Sequence, residues 1–146
     1  MLSIIGVTKT FPSGENTIKA VNNTSLEVSA GEFVALVGRS GSGKTTLLNL
    51  IGGLDAPDSG SIIVNGTDIS RMKEKELTVF RRKNIGYVFQ FFNLVPELTA
   101  YENIMFPAQI AGIKPDTARL DGIISLLGIR DRLSHLPSGL SGGEQQ

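Results

Sequence analysis

Gly38-Arg39-Ser40-Gly41-Ser42-Gly43-Lys44-Thr45 matches the phosphate-binding loop pattern at every fixed position: a glycine, four variable residues, Gly-Lys, then Ser or Thr. Its flanks supply the context that the pattern requires. Before it, Phe33-Val34-Ala35-Leu36-Val37 is a continuous apolar run without alternation, which predicts a strand buried on both faces of a parallel sheet. After it, Leu47, Leu48, Leu50, Ile51 and Leu54 form a helical set across residues 46–54 that stops near Gly52-Gly53 and Pro57. Strand, glycine loop and helix, in that order, predict an α/β fold.

A compact, multiply charged anion has to be met by several inward-turned backbone N–H groups, which calls for glycine at 38, 41 and 43. The helix opening near Lys44 adds its free N–H groups and the positive end of its dipole. Lys44 brings a full charge to the β and γ oxygens of a triphosphate, and the Thr45 hydroxyl is an oxygen ligand for Mg²⁺. Two other nucleotide-binding readings fail. The chain has neither the Asp-x-x-Gly nor the Asn-Lys-x-Asp of a GTPase, and Thr46 stands where a dinucleotide-binding loop needs its third glycine.

Outward from the loop, the N-terminal third reads as β-rich. Ser3-Ile4-Ile5-Gly6-Val7 and Ser25-Leu26-Glu27-Val28 predict strands, with turns at Pro12-Ser13-Gly14 and Asn22-Asn23. Residues 60–69 predict a further pair around an Asn65-Gly66 hairpin turn. Residues 72–83 predict a charged helix with Leu77 and Phe80 on its buried side and Arg81-Arg82-Lys83 as a solvated end; residues 84–90 return to strand. From Thr99 the pattern is helical. Thr99-Ala100-Tyr101-Glu102 is a capping box, Pro107 predicts a kink or break, and Leu120, Ile123, Ile124 and Leu127 predict a helix stopped by Gly128. Residues 96–139 thus read as a helical insertion into an α/β core.

Composition narrows the chemistry. The 146 residues carry 14 Lys plus Arg against 14 Asp plus Glu, without the basic excess of a nucleic-acid-coating protein. With no cysteine and one histidine, thiolate and zinc sites are excluded, which leaves oxygen-bound metals. No apolar run approaches the roughly 18 residues of a spanning helix, and Met1 to Val7 is not a secretion signal, so a cytoplasmic chain is expected. Single residues also have plain readings: His135 as an exposed loop residue, Tyr101 and Phe106 as packing of the insertion.

The chain closes on Leu140-Ser141-Gly142-Gly143-Glu144-Gln145-Gln146. With the phosphate loop about a hundred residues upstream, this resembles the signature of the ATP-binding-cassette (ABC) ATPases. Gln90 resembles the glutamine of the family's Q-loop. Phe11 stands where the family usually has a tyrosine that stacks on adenine; a place in the strand core is the competing reading. Gly53-Leu54-Asp55-Ala56-Pro57-Asp58-Ser59-Gly60 and Gly86-Tyr87-Val88-Phe89-Gln90-Phe91-Phe92-Asn93-Leu94 resemble the subgroup that serves lipoprotein release and macrolide or peptide export.

The resemblance implies an α/β phosphate-loop NTPase core of the ABC type, with an N-terminal antiparallel β subdomain and a helical insertion. Residues 1–95 would form the β subdomain and core, 96–139 the helical subdomain and 140–146 the signature. ATP would contact Phe11, Gly38, Ser40, Gly41, Ser42, Gly43, Lys44, Thr45 and Thr46, and Mg²⁺ would be held by Thr45 and Gln90. Lys44 and Gln90 would be the catalytic residues. In a head-to-tail pair of such subunits, Ser141, Gly142 and Gly143 would reach the γ-phosphate bound to the partner copy. A membrane permease would be the second partner, with the chain peripheral to the cell membrane.

In the family the Walker B aspartate, the neighbouring glutamate and the switch histidine follow the signature. The sequence therefore reads as an N-terminal fragment, incomplete at its C-terminus, of a transport-coupled ATPase. These 146 residues alone are expected to be inactive. The alternative function is a nucleotide-binding or interaction module without turnover.

Overall fold

Leu2–Ser13 (β1) and Asn16–Val28 (β2) form a long antiparallel hairpin in the computed structural model, which describes residues 1–146. The chain divides into two compact units, Met1–Tyr87 and Val88–Gln146. In the first, Ser59–Val64 (β3) pairs with β1 and Thr67–Asp68 (β4) with β3, giving a four-stranded sheet in the order β2-β1-β3-β4. All pairings are antiparallel; for β1–β2 and β3–β4 the two-residue connections require it, while β1–β3 joins strands distant in the chain. Asn65 and Gly66 both have positive φ, 50° and 80°, the geometry of the tight turn that their dipeptide predicts.

Ile4, Val7, Val21 and Ile62 project from the sheet into one buried cluster with Leu47 and Leu50 of Lys44–Ile51 (α1) and Leu77 of Glu74–Asn84 (α2). Phe80 packs at the edge of this cluster, on the side of α2 that its spacing from Leu77 predicts. Glu74 and Glu76 lie in the first turn of α2 and Arg81, Arg82 and Lys83 in its last, each sign matched to the helix dipole. Arg81 departs from the expected solvated end. Its guanidinium turns inward to donate to the Gly53 carbonyl at 2.5 Å and to Glu74 Oε1 at 2.9 Å, closing the turn that follows α1.

Two expected strands are absent. Residues 33–37 belong to no strand, and Phe33 is 95% exposed. An extended segment becomes a strand only beside a hydrogen-bonding neighbour, and none of the four sheet strands pairs with this one. Residues 85–90 likewise form no strand, α2 having run through Asn84. A third difference lies at Asn22-Asn23, which is not a turn. Both residues sit inside β2, where Asn23 takes φ 47° at an irregularity and the ladder continues to Val28.

The second unit is helical: Ala100–Ala111 (α3), Thr117–Leu127 (α4), two single turns of 3₁₀ helix at Arg130–Arg132 and Pro137–Gly139, and the short Gly142–Gln145 (α5). Thr99 and Glu102 form the capping box, the Glu102 carboxylate accepting from the Thr99 N–H at 2.8 Å. The Ala100 and Tyr101 N–H groups donate to the His135 and Leu133 carbonyls, so this helix start is also closed by a distant segment. Pro107 does not break α3, which continues to Ala111 and stops at Gly112 with φ 65°. Proline removes one N–H from the ladder; the bonds beyond it, such as Gly112 N–H to Gln109, persist. Gly128, φ 67°, ends α4 as predicted, and Asp116 caps its start. No helix is long and apolar enough to cross a membrane.

Candidate functional site

The phosphate-loop residues converge at the start of α1. Gly41 and Gly43 have φ of 77° and 86°, a region that side-chain-bearing residues rarely adopt, so the two glycines let the loop double back on itself. Lys44, the first residue of α1, folds its ammonium over the loop. It donates to the Gly38 carbonyl at 2.8 Å and the Arg39 carbonyl at 2.7 Å, with the Ser42 hydroxyl at 3.5 Å. A β-carbon on Gly38 would lie 2.7 Å from Ser42 Oγ, so a side chain there would turn the Ser42 hydroxyl out of its present place beside Lys44. α1 carries no acidic residue in its first turn, which leaves the positive end of its dipole unneutralised.

The loop is seated on the hairpin by a feature that no motif predicts. Lys9 pairs with Val21 and Thr10 with Lys19, so Ala20 is an extra residue in β2. Its carbonyl oxygen lies where a β-carbon of Gly43 would stand. Between this bulge and the loop is a cleft of about 300 Å³, lined among others by Lys19, Ala20, Val37, Ser42, Gly43 and Lys44. The lining holds two lysines and no carboxylate, the charge balance an anion requires. Nothing in the sequence motifs points to Lys19 or Ala20. Lysine in a strand carries no local signal of where its strand will dock.

Ser40 and Thr45 are exposed and Thr46 is half-buried. A hydroxyl at the second residue of α1 is a hard oxygen donor of the kind Mg²⁺ takes alongside phosphate oxygens and water. Nowhere do three or more His, Asp or Glu side chains cluster to hold a metal on their own. The donor set therefore fits a cation that arrives with a phosphorylated ligand.

Phe11 lies in β1 opposite Ile18, the residue before Lys19 of the cleft. It is 40% exposed, so its ring is not part of the sheet core. The Lys9 ammonium stands 5.4 Å from the ring centroid.

The remaining candidates belong to the second unit. Gln90 is exposed, in a turn. Ser141 caps α5, its hydroxyl accepting from the Glu144 N–H, while the Glu144 carboxylate accepts from the Ser141 N–H at 2.7 Å and the Ser141 hydroxyl at 2.8 Å. Arg132 Nε adds a third donor to Glu144 at 2.8 Å. The Ser141 N–H and hydroxyl, with Arg132 behind them, hold the Glu144 carboxyl down to about 2. Gln145 Nε2 donates to the Pro137 and Leu140 carbonyls, both at 3.0 Å, tying the turn to its own approach. Gly142 and Gly143 face open space: a β-carbon on either would meet nothing within 4 Å. This unit's own packing does not require glycine there.

Comparison with known proteins bears on the family. The family model described as "ABC transporter" matches residues 21–146. The chain is 51% identical to the lipoprotein-releasing system ATP-binding protein LolD of Bacteroides thetaiotaomicron, over its whole length and 66% of that protein. It is 43% identical to the macrolide export ATP-binding/permease protein MacB of Vibrio parahaemolyticus, covering 23% of that longer chain. Among solved structures it resembles the ATP-binding cassette MJ0796, a dimer in a post-hydrolysis state with ADP and Pi, at 40% identity and a TM-score of 0.89. That match covers 99% of this chain and 65% of the cassette. The chain thus spans about two thirds of the length of the curated ATP-binding subunit and of the cassette.

Proposed function

The chain belongs to the ABC transporter family, and from that premise we propose that it is the nucleotide-binding part of a transport ATPase subunit, which binds ATP at the cleft beside Lys44 and works as a head-to-tail pair. The observation that carries this reading is the Lys44 cradle. One ammonium lies among the Gly38 and Arg39 carbonyls and the Ser42 hydroxyl, at the mouth of a helix with no acidic residue in its first turn.

In this reading the backbone N–H groups of 38–43 and the Lys44 charge hold the β- and γ-phosphates, with Ser40, Ser42 and Thr46 alongside. Phe11 offers its ring face to adenine, favoured by its partial exposure and its register beside Lys19. Thr45 and Gln90 would hold Mg²⁺, which when bound neutralises charge on the β and γ oxygens. Ser141, Gly142 and Gly143 of the second copy meet the γ-phosphate; their open surroundings support a contact from outside their own unit. Gln90 also orients the attacking water and passes nucleotide state to the helical subdomain, residues 96–139. Residues 1–95 form the β subdomain and core, and 140–146 the signature. The second partner is a membrane permease, which places the subunit at the cytoplasmic face and selects the substrate. Identity of 51% to a lipoprotein-releasing subunit, against 43% to a macrolide exporter, favours a permease of the extraction or export type.

A second reading concerns residues 1–146 by themselves. The cleft has no carboxylate in its lining, so this segment alone binds ATP without turning it over. Mg-ATP binding and turnover, measured in the full-length chain and in Lys44→Ala, test both readings. Turnover abolished by Lys44→Ala supports the first; turnover that survives it overturns the assignment of the cleft. Lys44-dependent turnover by residues 1–146 would overturn the second.

A further inference from the structure

The strand position that carries Phe11 is clasped at two adjacent residues by the segment that leaves α1. Lys9 Nζ donates to Asp55 Oδ1 at 2.7 Å and to the Ala56 carbonyl at 2.8 Å. Thr10 gives both its N–H and its hydroxyl to Asp58 Oδ2, at 2.7 and 2.6 Å, and the Asp58 N–H returns to the Thr8 carbonyl at 2.9 Å. The Thr10 donors hold the Asp58 carboxyl below the usual carboxylate range, so the clasp is ionised at neutral pH. The Lys9 side chain is only 13% exposed, well out of water for an ammonium that also stands over the Phe11 ring.

Phenylalanine has no hydroxyl by which a ring can be tethered, and a ring that is 40% exposed is held in one rotamer only by what lies against it. A cation on one π face supplies that hold, because the face of the ring quadrupole is negative. Asp55 in turn fixes the cation. We propose that Lys9, held by Asp55, is the positioning residue for Phe11: it occupies one face of the ring and presents the opposite face to the base of the bound nucleotide. The same clasp sets the spacing between that platform and the phosphate loop, since residues 52–58 continue directly from the helix that Lys44 begins. A ring ordered before binding spares the ligand the cost of ordering it. This inference rests on the reading of Phe11 as the base platform.

The test compares ATP with inorganic tripolyphosphate, which has the phosphates and no base, by calorimetric titration of the full-length chain. Lys9→Met keeps the length of the side chain and removes its charge. It is expected to weaken ATP by about two- to fivefold, the span of one partly exposed cation–π contact, and to leave tripolyphosphate unchanged. Asp55→Asn shifts ATP in the same direction, Lys9→Arg retains most of the affinity, and in a Phe11→Ala background Lys9→Met has no further effect. Equal weakening of ATP and tripolyphosphate would make Lys9 a phosphate ligand or a fold residue and overturn the proposal. So would unchanged ATP affinity in Lys9→Met while Phe11→Ala is weak; that result leaves the platform intact. If Phe11→Ala binds ATP normally, the platform reading itself fails, and the positioning role with it.

Discussion

The carbonyl oxygen of Ala20 lies against Gly43 in the space that any side chain at residue 43 would fill. Ala20 has no cross-strand partner because β2 carries one residue more than β1 at that point, and the bulge turns its backbone toward the phosphate loop. Two independent demands therefore meet at residue 43: a left-handed backbone, φ 86°, and no β-carbon. The contact joins an antiparallel hairpin to a helix start that a motif alone would describe as self-sufficient.

Gly43→Ala is expected to abolish measurable ATP binding, and Gly41→Ala to be milder. Both residues have positive φ, so each alanine meets a left-handed penalty of about 1–2 kcal/mol. Only at 43 does the new β-carbon also collide with backbone; at 41 it meets nothing within 4 Å. Titration calorimetry on both variants decides. Equal losses would show that the Ala20 contact does not limit the loop.

Ser141→Ala removes an N-cap, which costs about 1 kcal/mol locally and loosens α5. Ser141→Asp retains a capping oxygen but sets a carboxylate where the proposed γ-phosphate contact would be. It should lower amide-exchange protection at α5, because the new carboxylate faces that of Glu144 in place of the hydroxyl that donates to it at 2.8 Å, and it should lose ATP-dependent pairing of two copies in sedimentation. Pairing that survives in Ser141→Asp would remove the serine from the phosphate contact.

The cap at Glu144 predicts a pH response. Its folded pKa, about 2, lies below the ordinary glutamate value of 4.5 because Ser141 and Arg132 donate to the ionised form. A depressed carboxyl stabilises the fold fully above its unfolded pKa and loses that contribution as pH falls toward the folded value. Fraying of α5 should thus begin below about pH 4.5 and approach completion near 2. Glu144→Gln, which can still cap, should flatten the profile. Carboxyl titration by NMR checks it, and a midpoint near 4.5 would contradict the bonding described.

In the β unit, Ile62→Ala is expected to cost about 2–5 kcal/mol, since the side chain is fully buried among Ile4, Val7 and Leu50. Val79→Ala, on the exposed side of α2, should stay within about 0.5 kcal/mol. Chemical denaturation of the full-length chain measures both. A loss at Val79 as large as at Ile62 would mean that the α2 face is covered in the full-length chain.

Features that neighbouring residues decide among themselves are legible in the amino-acid sequence alone. The capping box at Thr99 and Glu102, the Asn65-Gly66 turn, the Gly128 stop and the start of α1 at Lys44 each depend on a few consecutive side chains and their allowed dihedrals. The family follows from two such local strings, 38–45 and 140–146. The rest is tertiary. Residues 33–37 have the composition of a buried strand, yet a strand exists only beside a neighbour, and none of the four sheet strands provides one. Arg81 reads as a solvated charge until the Gly53 carbonyl arrives from 28 residues away. The Ala20 bulge and the Lys9 clasp with Asp55 likewise require partners that chain order keeps far apart. Dihedral preference acts over one turn of chain, whereas a ladder, a bulge or an ion pair is settled only when distant segments compete for the same space and the same hydrogen bonds.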